Sequence, residues 1–165
     1  MPAHVLIIDY DPTALAALEM RLSEEYFEVS TAADGERGLE QMKVDPPDIV
    51  LVDVVMPGID GYEVCERMRN DPELFYVPIV MFSMNSKPED IVRGLKAGAD
   101  DYLKKPLDDV VVLARIRSLV RSKLMMDEFR RREQTSNQLG VLDSAGDLIN
   151  DDVLGGRILV IDDDA

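Results

Sequence analysis

The sequence predicts an α/β fold in which five parallel strands form one sheet with helices on both faces. Short apolar runs rich in β-branched residues alternate with segments of helical periodicity, at the spacing of βαβ units. The run at 49–52 has the length and composition of a strand buried on both faces. Several of these runs end on a polar or charged residue, at the edge of a parallel sheet where ligands bind.

Strands and helices alternate through the first 121 residues. Pro12 suits the first turn of a helix in which Leu15, Leu18 and Leu22 recur at helical spacing. Asp34-Gly35 is a turn signal before the second helix. The predicted strands are 4–8, 27–31, 49–52, 77–82 and 102–103, and the predicted helices are 14–22, 36–43, 62–68, 87–97 and 108 to about 134.

Proline and glycine set the remaining boundaries. Pro46-Pro47 ends the second helix and leads into the central strand, and Pro72 follows the end of the third helix. Gly94 and Gly98 weaken the fourth helix.

The last helix is longer than one sheet can cover. Its apolar residues Leu113, Ile116, Val120 and Leu124 lie on one stripe, and the part of this stripe up to about residue 121 is predicted to pack on the sheet. We predict a domain at 1–121, an extended helix and linker at 122–154, and the opening strand of a second, homologous domain at 155–165. The last segment repeats the pattern of an apolar strand that runs into acids, as at 5–11.

Beyond that stripe, three apolar side chains have no sheet left to cover. Met125, Met126 and Phe129 are therefore predicted to be exposed and to mark a contact with another domain or chain. The two alternatives are a homodimer through the C-terminal helix region and packing on a second domain. Several arginines on the same helix also allow a third interpretation, in which this face of the helix is simply exposed to solvent.

Composition excludes some classes of function. The formal net charge is −15, which argues against nucleic-acid binding and against docking on anionic membranes. No apolar run approaches the length of a membrane span, and the amino terminus lacks a signal-peptide pattern, so a cytoplasmic protein is expected. The single cysteine, Cys65, lies in a helical pattern and is predicted to be a buried thiol.

Four chemically active side chains are predicted at one edge of the sheet. Asp9, Asp53 and Ser83 end the first, third and fourth strands, and Lys105 follows the fifth. Two neighbouring carboxylates favour a divalent cation with oxygen ligands, most plausibly Mg²⁺. A carboxylate beside such a cation and a lysine can act as a nucleophile toward a phosphoryl group. Taken singly, Asp9 also suits a helix N-cap, Ser83 the start of the next helix and Lys105 a surface charge.

These residues, with the DVVMPGIDG stretch after the third strand and the KKP stretch that contains Lys105, resemble the receiver domain of two-component response regulators. The resemblance covers residues 3 to about 121 and implies a flavodoxin-like, doubly wound five-stranded parallel sheet. It implies that Asp53 is the phosphoacceptor, which takes a phosphoryl group from a histidine kinase or a phosphotransfer protein. It further implies that Ser83 and Lys105 contact that group, and that Tyr102 is an aromatic switch that turns inward with Ser83.

The same resemblance implies a metal site and a backbone feature. Mg²⁺ would be held by Asp9, by Asp53 and by the backbone carbonyl of Val55. The Lys105-Pro106 peptide bond would be cis, as is usual in the family.

A long helix, a linker and a second strand-into-acid motif resemble the PleD type of response regulator more narrowly. In that type, two receivers precede a GGDEF diguanylate cyclase domain. The resemblance implies cyclic di-GMP signalling through a second receiver and an output domain. No cyclase motif is present in these 165 residues, so the chain itself is not expected to be an enzyme.

One position departs from the family pattern. Receivers usually have two adjacent acids after the first strand, whereas here the second is Tyr10, followed by Asp11. A phenol is a poor ligand for Mg²⁺ at neutral pH, and Asp11 lies one position late. We therefore expect weakened Mg²⁺ binding, with a pseudo-receiver that serves only as a dimerising module as the alternative.

The stretch from Asp9 to Thr13 also fits the DxDxT motif of haloacid-dehalogenase-like phosphatases. Asp9 would then be the nucleophile and Asp11 the general acid. That hypothesis leaves the DVVMPGIDG stretch unexplained, and no later acidic metal motif follows Lys105.

Overall fold

The computed structural model describes the backbone of residues 1–143 and the side chains of residues 1–139. Five strands and five helices alternate strictly within this range, as predicted. They are β1 (His4–Ile8), α1 (Pro12–Glu24), β2 (Glu28–Ala32), α2 (Gly35–Val44), β3 (Ile49–Asp53), α3 (Gly61–Asn70), β4 (Ile79–Ser83), α4 (Pro88–Ala97), β5 (Asp101–Lys104) and α5 (Asp109–Asp143). The predicted strand at 155–165 lies outside the described residues.

All five strands are parallel, in the order β2-β1-β3-β4-β5. The order confirms the predicted doubly wound, flavodoxin-like sheet. It places β1, β3 and β4 side by side in the centre, so that their carboxyl ends meet at one edge. Because every residue of β3 and β4 is buried, these strands are apolar up to the Asp53 and Ser83 that end them, with no alternation of polar and apolar residues.

Two hydrophobic layers cover the two faces of the sheet. One layer joins the sheet to α2 and α3, through residues such as Met42, Val64 and Met68. The other joins it to α1 and α5, through residues such as Leu22 and Ile116. Cys65 is fully buried in the first layer, as predicted, and burial raises the pKa of its thiol to about 12.

Helix α5 is longer than the sequence indicated. It runs to Asp143, whereas the pattern predicted an end near residue 134 followed by a linker. Residues 135–137 are polar and interrupt the apolar pattern, but such residues lower helix stability only by about 0.7 kcal/mol each and do not stop a helix. The chain divides into two compact units, Met1–Asp127 and Glu128–Ala165.

Ile116 and Val120 of α5 are buried, whereas Leu124, which lies beyond the predicted limit near residue 121, is 56% exposed. Met125, Met126 and Phe129 are exposed, as predicted. Among the described residues, no helix combines the length and the apolar content that a membrane span requires.

Candidate functional site

Two carboxylates and one ammonium group meet at the carboxyl edge of the sheet. The Nζ of Lys105 lies 3.1 Å from Oδ2 of Asp9 and 2.9 Å from Oδ2 of Asp53. Asp9 follows β1 directly and Asp53 ends β3, and these two strands are neighbours in the sheet. Lys105 follows β5 and reaches across β4, where its Nζ lies 4.9 Å from the ring centre of Phe82.

Both carboxylates are almost completely removed from solvent. Asp9 and Asp53 are 2% and 4% exposed. Burial raises the pKa of Asp53, and the charge of Asp9 adds to that rise, while the hydrogen bond and charge of Lys105 oppose it without cancelling it. Burial alone would lower the pKa of Lys105, but the two carboxylates outweigh it and raise that pKa. The site therefore holds more negative charge than its one cation compensates.

The remaining carboxylate oxygens accept backbone hydrogen bonds that fix the acids in place. Oδ1 of Asp9 accepts from the N–H of Asp11 at 2.9 Å, and Oδ1 of Asp53 accepts from the N–H of Val55 at 3.2 Å. Gly61 allows helix α3 to begin directly against the end of β3, because a Cβ there would lie 2.5 Å from the carbonyl oxygen of Asp53. Asp53 is thus held by its own loop and by the first residue of the next helix.

A cavity of about 630 Å³ opens over this cluster. Its floor contains Asp9, Asp53 and Lys105, and its wall continues along α1 at Ala14 and Leu18. Charged groups at the base of a largely apolar cleft are typical of a site that binds a ligand or a partner's side chain.

Tyr10 and Asp11 both line the same cavity, but neither side chain takes part in the contacts that join Asp9 and Asp53 to Lys105. The side chain of Tyr10 is 52% exposed. Asp11 is the N-cap of α1, and its Oδ1 accepts from the N–H of Thr13 at 2.9 Å. The N-cap alternative proposed for Asp9 is therefore wrong, since Asp11 has that role. The phosphatase hypothesis also loses support, because Asp11, its general acid, is engaged in capping.

Ser83 and Tyr102 are not among the residues that line the cavity. Ser83 is buried, and its Oγ accepts from the N–H of Asn85 at 3.1 Å. The hydroxyl of Tyr102 donates to the carbonyl of Asn85 at 2.7 Å. Asn85 therefore connects the two predicted residues through its backbone, and no sequence signal indicated this role because any residue supplies the same groups.

The donors available to a cation are all oxygens. The predicted donors are the carboxylates of Asp9 and Asp53 and the carbonyl of Val55, and all three residues line the same cavity; such a set suits Mg²⁺ with water in its remaining positions. No group of three or more His, Cys, Asp or Glu side chains within residues 1–139 is arranged to hold a metal. The Lys105-Pro106 peptide bond is cis, as predicted.

The chain is similar in sequence to known response regulators and transcriptional regulatory proteins. It is 44% identical to the response regulator PleD of Caulobacter vibrioides over 163 residues, which are 99% of this chain but only 36% of PleD. It is 42% identical to the transcriptional regulatory protein CseB of Streptomyces coelicolor over 118 residues, which are 72% of this chain and 49% of CseB. The chain thus spans half or less of the length of these relatives.

Solved structures show the same fold. The signal receiver domain of a signal transduction histidine kinase from Syntrophus aciditrophicus has a TM-score of 0.69 at 31% identity, over 73% of this chain and 91% of that one. The chemotaxis protein CheY4 of Vibrio cholerae has a TM-score of 0.69 at 28% identity, over 72% of this chain and 99% of that one. Residues 5–117 match the family model of the response regulator receiver domain. With two buried aspartates and a lysine at the edge of this sheet, the chain belongs to the response regulator receiver family and is a PleD-like member of it.

Proposed function

We propose that this receiver works in the cytoplasm and accepts a phosphoryl group on Asp53 from a histidine kinase or a phosphotransfer protein. The observation that carries the proposal is the position of Lys105, whose Nζ lies within 3.1 Å of both Asp9 and Asp53 at the base of an open cavity. A carboxylate in this setting is fixed, desolvated and next to a cation, which are the conditions for phosphoryl transfer.

In the proposed step, one carboxylate oxygen of Asp53 attacks phosphorus. The bond between phosphorus and the donor's imidazole nitrogen breaks, and its electron pair stays on that nitrogen. Lys105 remains an ammonium and offsets the charge on the transferring oxygens. The Ser83 hydroxyl would leave the N–H of Asn85 and donate to a phosphoryl oxygen, and Tyr102 would turn inward with it.

The oxygen donors at the site suit Mg²⁺, which would be held by Asp9, Asp53 and the carbonyl of Val55. When bound, the cation supplies charge neutralisation for the phosphoryl oxygens. Tyr10 stands where the family usually has a second acid, and Asp11 uses its carboxylate to cap α1. We expect weak Mg²⁺ binding for that reason, rather than none.

A titration with Mg²⁺ followed by beryllofluoride, a phosphoryl mimic, tests the proposal. The expected result is a saturable change in the amide NMR spectrum of the protein that needs Mg²⁺ and disappears in Asp53→Asn. The pseudo-receiver alternative predicts no response to either reagent. It is not favoured, because Asp9, Asp53 and Lys105 are all present, with Lys105 in contact with both carboxylates.

We also propose that phosphorylation controls an output domain in a longer protein. The likeness to PleD supports a second receiver and a diguanylate cyclase output, and this chain spans 36% of PleD. Measuring the condensation of two GTP molecules into cyclic di-GMP and pyrophosphate by the full-length protein, with and without beryllofluoride, tests this. A cyclase that is active at the same rate with and without beryllofluoride would contradict the proposed control of the output domain by phosphorylation.

The exposed apolar residues of α5 support a proposed homodimer through the C-terminal helix region. Met125, Met126 and Phe129 are all more than half exposed. Sedimentation with and without beryllofluoride tests it, with Phe129→Ser as the weakened variant. A monomer in both states at high concentration would refute the dimer.

A further inference from the structure

Two tyrosine hydroxyls hold the segment that joins β4 to α4. The hydroxyl of Tyr62, on α3, donates to the carbonyl of Asp90 at 3.3 Å. The hydroxyl of Tyr102, on β5, donates to the carbonyl of Asn85 at 2.7 Å. Both acceptors belong to the stretch from the end of β4 to the first turn of α4, which we call the 85–90 segment.

This segment has few supports of its own. Lys87, the N-cap of α4, makes no side-chain capping hydrogen bond, and Gly94 is the only residue of α4 that is fully buried. An element with little buried apolar surface and an uncapped end is expected to open locally more often than its neighbours. The placement of α4 therefore depends on contacts from α3 and β5.

Tyr62, on α3, contacts the first turns of α4 with both its hydroxyl and its ring. It is 5% exposed, and the guanidinium of Arg93, on α4, lies 4.1 Å from its ring centre. Burial raises the pKa of Tyr62, and the nearby hydroxyl of Tyr102 adds to the rise, so the phenol remains a neutral donor at physiological pH. Tyr102 fits beneath α4 only because of Gly94, where a Cβ would lie 2.8 Å from its ring.

The segment is tied to the phosphoryl site from two directions. At one end, the N–H of Asn85 donates to Oγ of Ser83. On the other side, Tyr62 follows Gly61, whose N–H donates to the carbonyl of Val54 at 2.9 Å and which lies against the backbone of Asp53. A shift of the 85–90 segment would therefore disturb contacts next to Ser83 and, through Tyr62 and Gly61, contacts next to Asp53.

We propose that Tyr62 is a positioning residue that holds the 85–90 segment and the first turn of α4 in the arrangement described here, and that its hydroxyl releases Asp90 when the receiver is activated. This inference rests on the proposed function, in which Ser83 and Tyr102 move together. Tyr62 opposes that movement, so the phosphoryl mimic must overcome its hydrogen bond. A bond made in only one of two states shifts their populations by its full strength.

The test compares Tyr62→Phe with the wild-type protein by beryllofluoride titration and by hydrogen exchange. Removing the hydroxyl is expected to lower the beryllofluoride concentration at half-saturation by about fivefold, the factor given by one neutral hydrogen bond. Amide exchange in α4 of the untreated protein is expected to accelerate by a similar factor, while α2 is unchanged. Tyr26→Phe is the matched control, because Tyr26 is 87% exposed and should move neither measurement.

Arg93→Met is the second variant, since it removes the stacked guanidinium and leaves the hydroxyl in place. It is expected to change both measurements in the same direction as Tyr62→Phe. An unchanged or raised half-saturation point in both variants overturns the proposal. If the wild type gives no response to beryllofluoride, the proposed function fails instead. The exchange rates of α4 in the untreated protein then decide whether Tyr62 holds the segment: unchanged rates overturn that role as well.

Discussion

Replacing Lys105 with methionine should destabilise the protein, because the change removes the cation that two buried carboxylates share. Oδ2 of Asp9 and Oδ2 of Asp53 both lie within 3.1 Å of Nζ, so these oxygens are at most about 6 Å apart. At an effective dielectric constant of about 20, their repulsion at that distance is about 3 kcal/mol. Removing one partner of a buried ion pair typically costs roughly 3–5 kcal/mol of stability, and the repulsion worked out here agrees with that range.

Urea denaturation of Lys105→Met in EDTA measures this loss. The expected fall in the free energy of unfolding is about 3 kcal/mol at pH 8. It should shrink toward pH 5, because the pKa of Asp53 is already raised and rises further without Lys105, so that protonation relieves the repulsion as the pH falls. Adding Asp53→Asn should restore most of the stability. The reasoning fails if Lys105→Met is as stable as the wild type, or if the double variant is no more stable than the single one.

Three further predictions concern single positions. Tyr10→Asp should tighten Mg²⁺ binding on the order of tenfold by adding a charged oxygen ligand, as measured by calorimetry, and unchanged affinity would show that Tyr10 does not limit the site. Gly61→Ala should destabilise the fold by about 1–3 kcal/mol, because the new Cβ would lie 2.5 Å from the carbonyl oxygen of Asp53. Denaturation of Gly61→Ala alongside Gly58→Ala, where no atom lies within 4 Å and only backbone strain is added, separates crowding from strain. Cys65 should resist iodoacetamide in the folded protein, since its thiol is buried with a pKa of about 12, and should react about a thousandfold faster in denaturant; rapid labelling without denaturant would contradict its burial.

The strands and the residues at their ends were predictable because both follow from simple periodicities. An apolar run of strand length next to helical segments leaves few arrangements other than a parallel sheet, and a parallel sheet brings its strand ends together. Asp9, Asp53 and Lys105 meet as expected for that reason. The burial of Ser83 follows from the same geometry.

Contacts that depend on backbone acceptors were not predictable from the sequence. Tyr62 bonds the carbonyl of Asp90, and Tyr102 bonds that of Asn85, and a carbonyl group carries no residue signature. Tyr62 was assigned to a helix, but nothing in the sequence indicated that its hydroxyl would reach α4.

The length of α5 and the role of its basic residues also escaped prediction. Several of its arginines and lysines are paired rather than free: Lys123 bonds Asp48 at 3.2 Å and Asp127 at 3.1 Å, and Arg117 bonds Glu25 at 2.6 Å. Pairs that join residues 75 or 92 positions apart depend on the tertiary fold. A helical pattern therefore located these residues without revealing their partners.

The most direct test of the account is mass spectrometry of the protein after incubation with acetyl phosphate and Mg²⁺. The account predicts a gain of one phosphoryl group in the wild type, located on the peptide that contains Asp53, and no gain in Asp53→Asn. Omitting Mg²⁺ should abolish the gain. A wild-type protein that gains no mass at saturating Mg²⁺, or a phosphoryl group that persists in Asp53→Asn, would contradict the assignment of Asp53 as the phosphoacceptor.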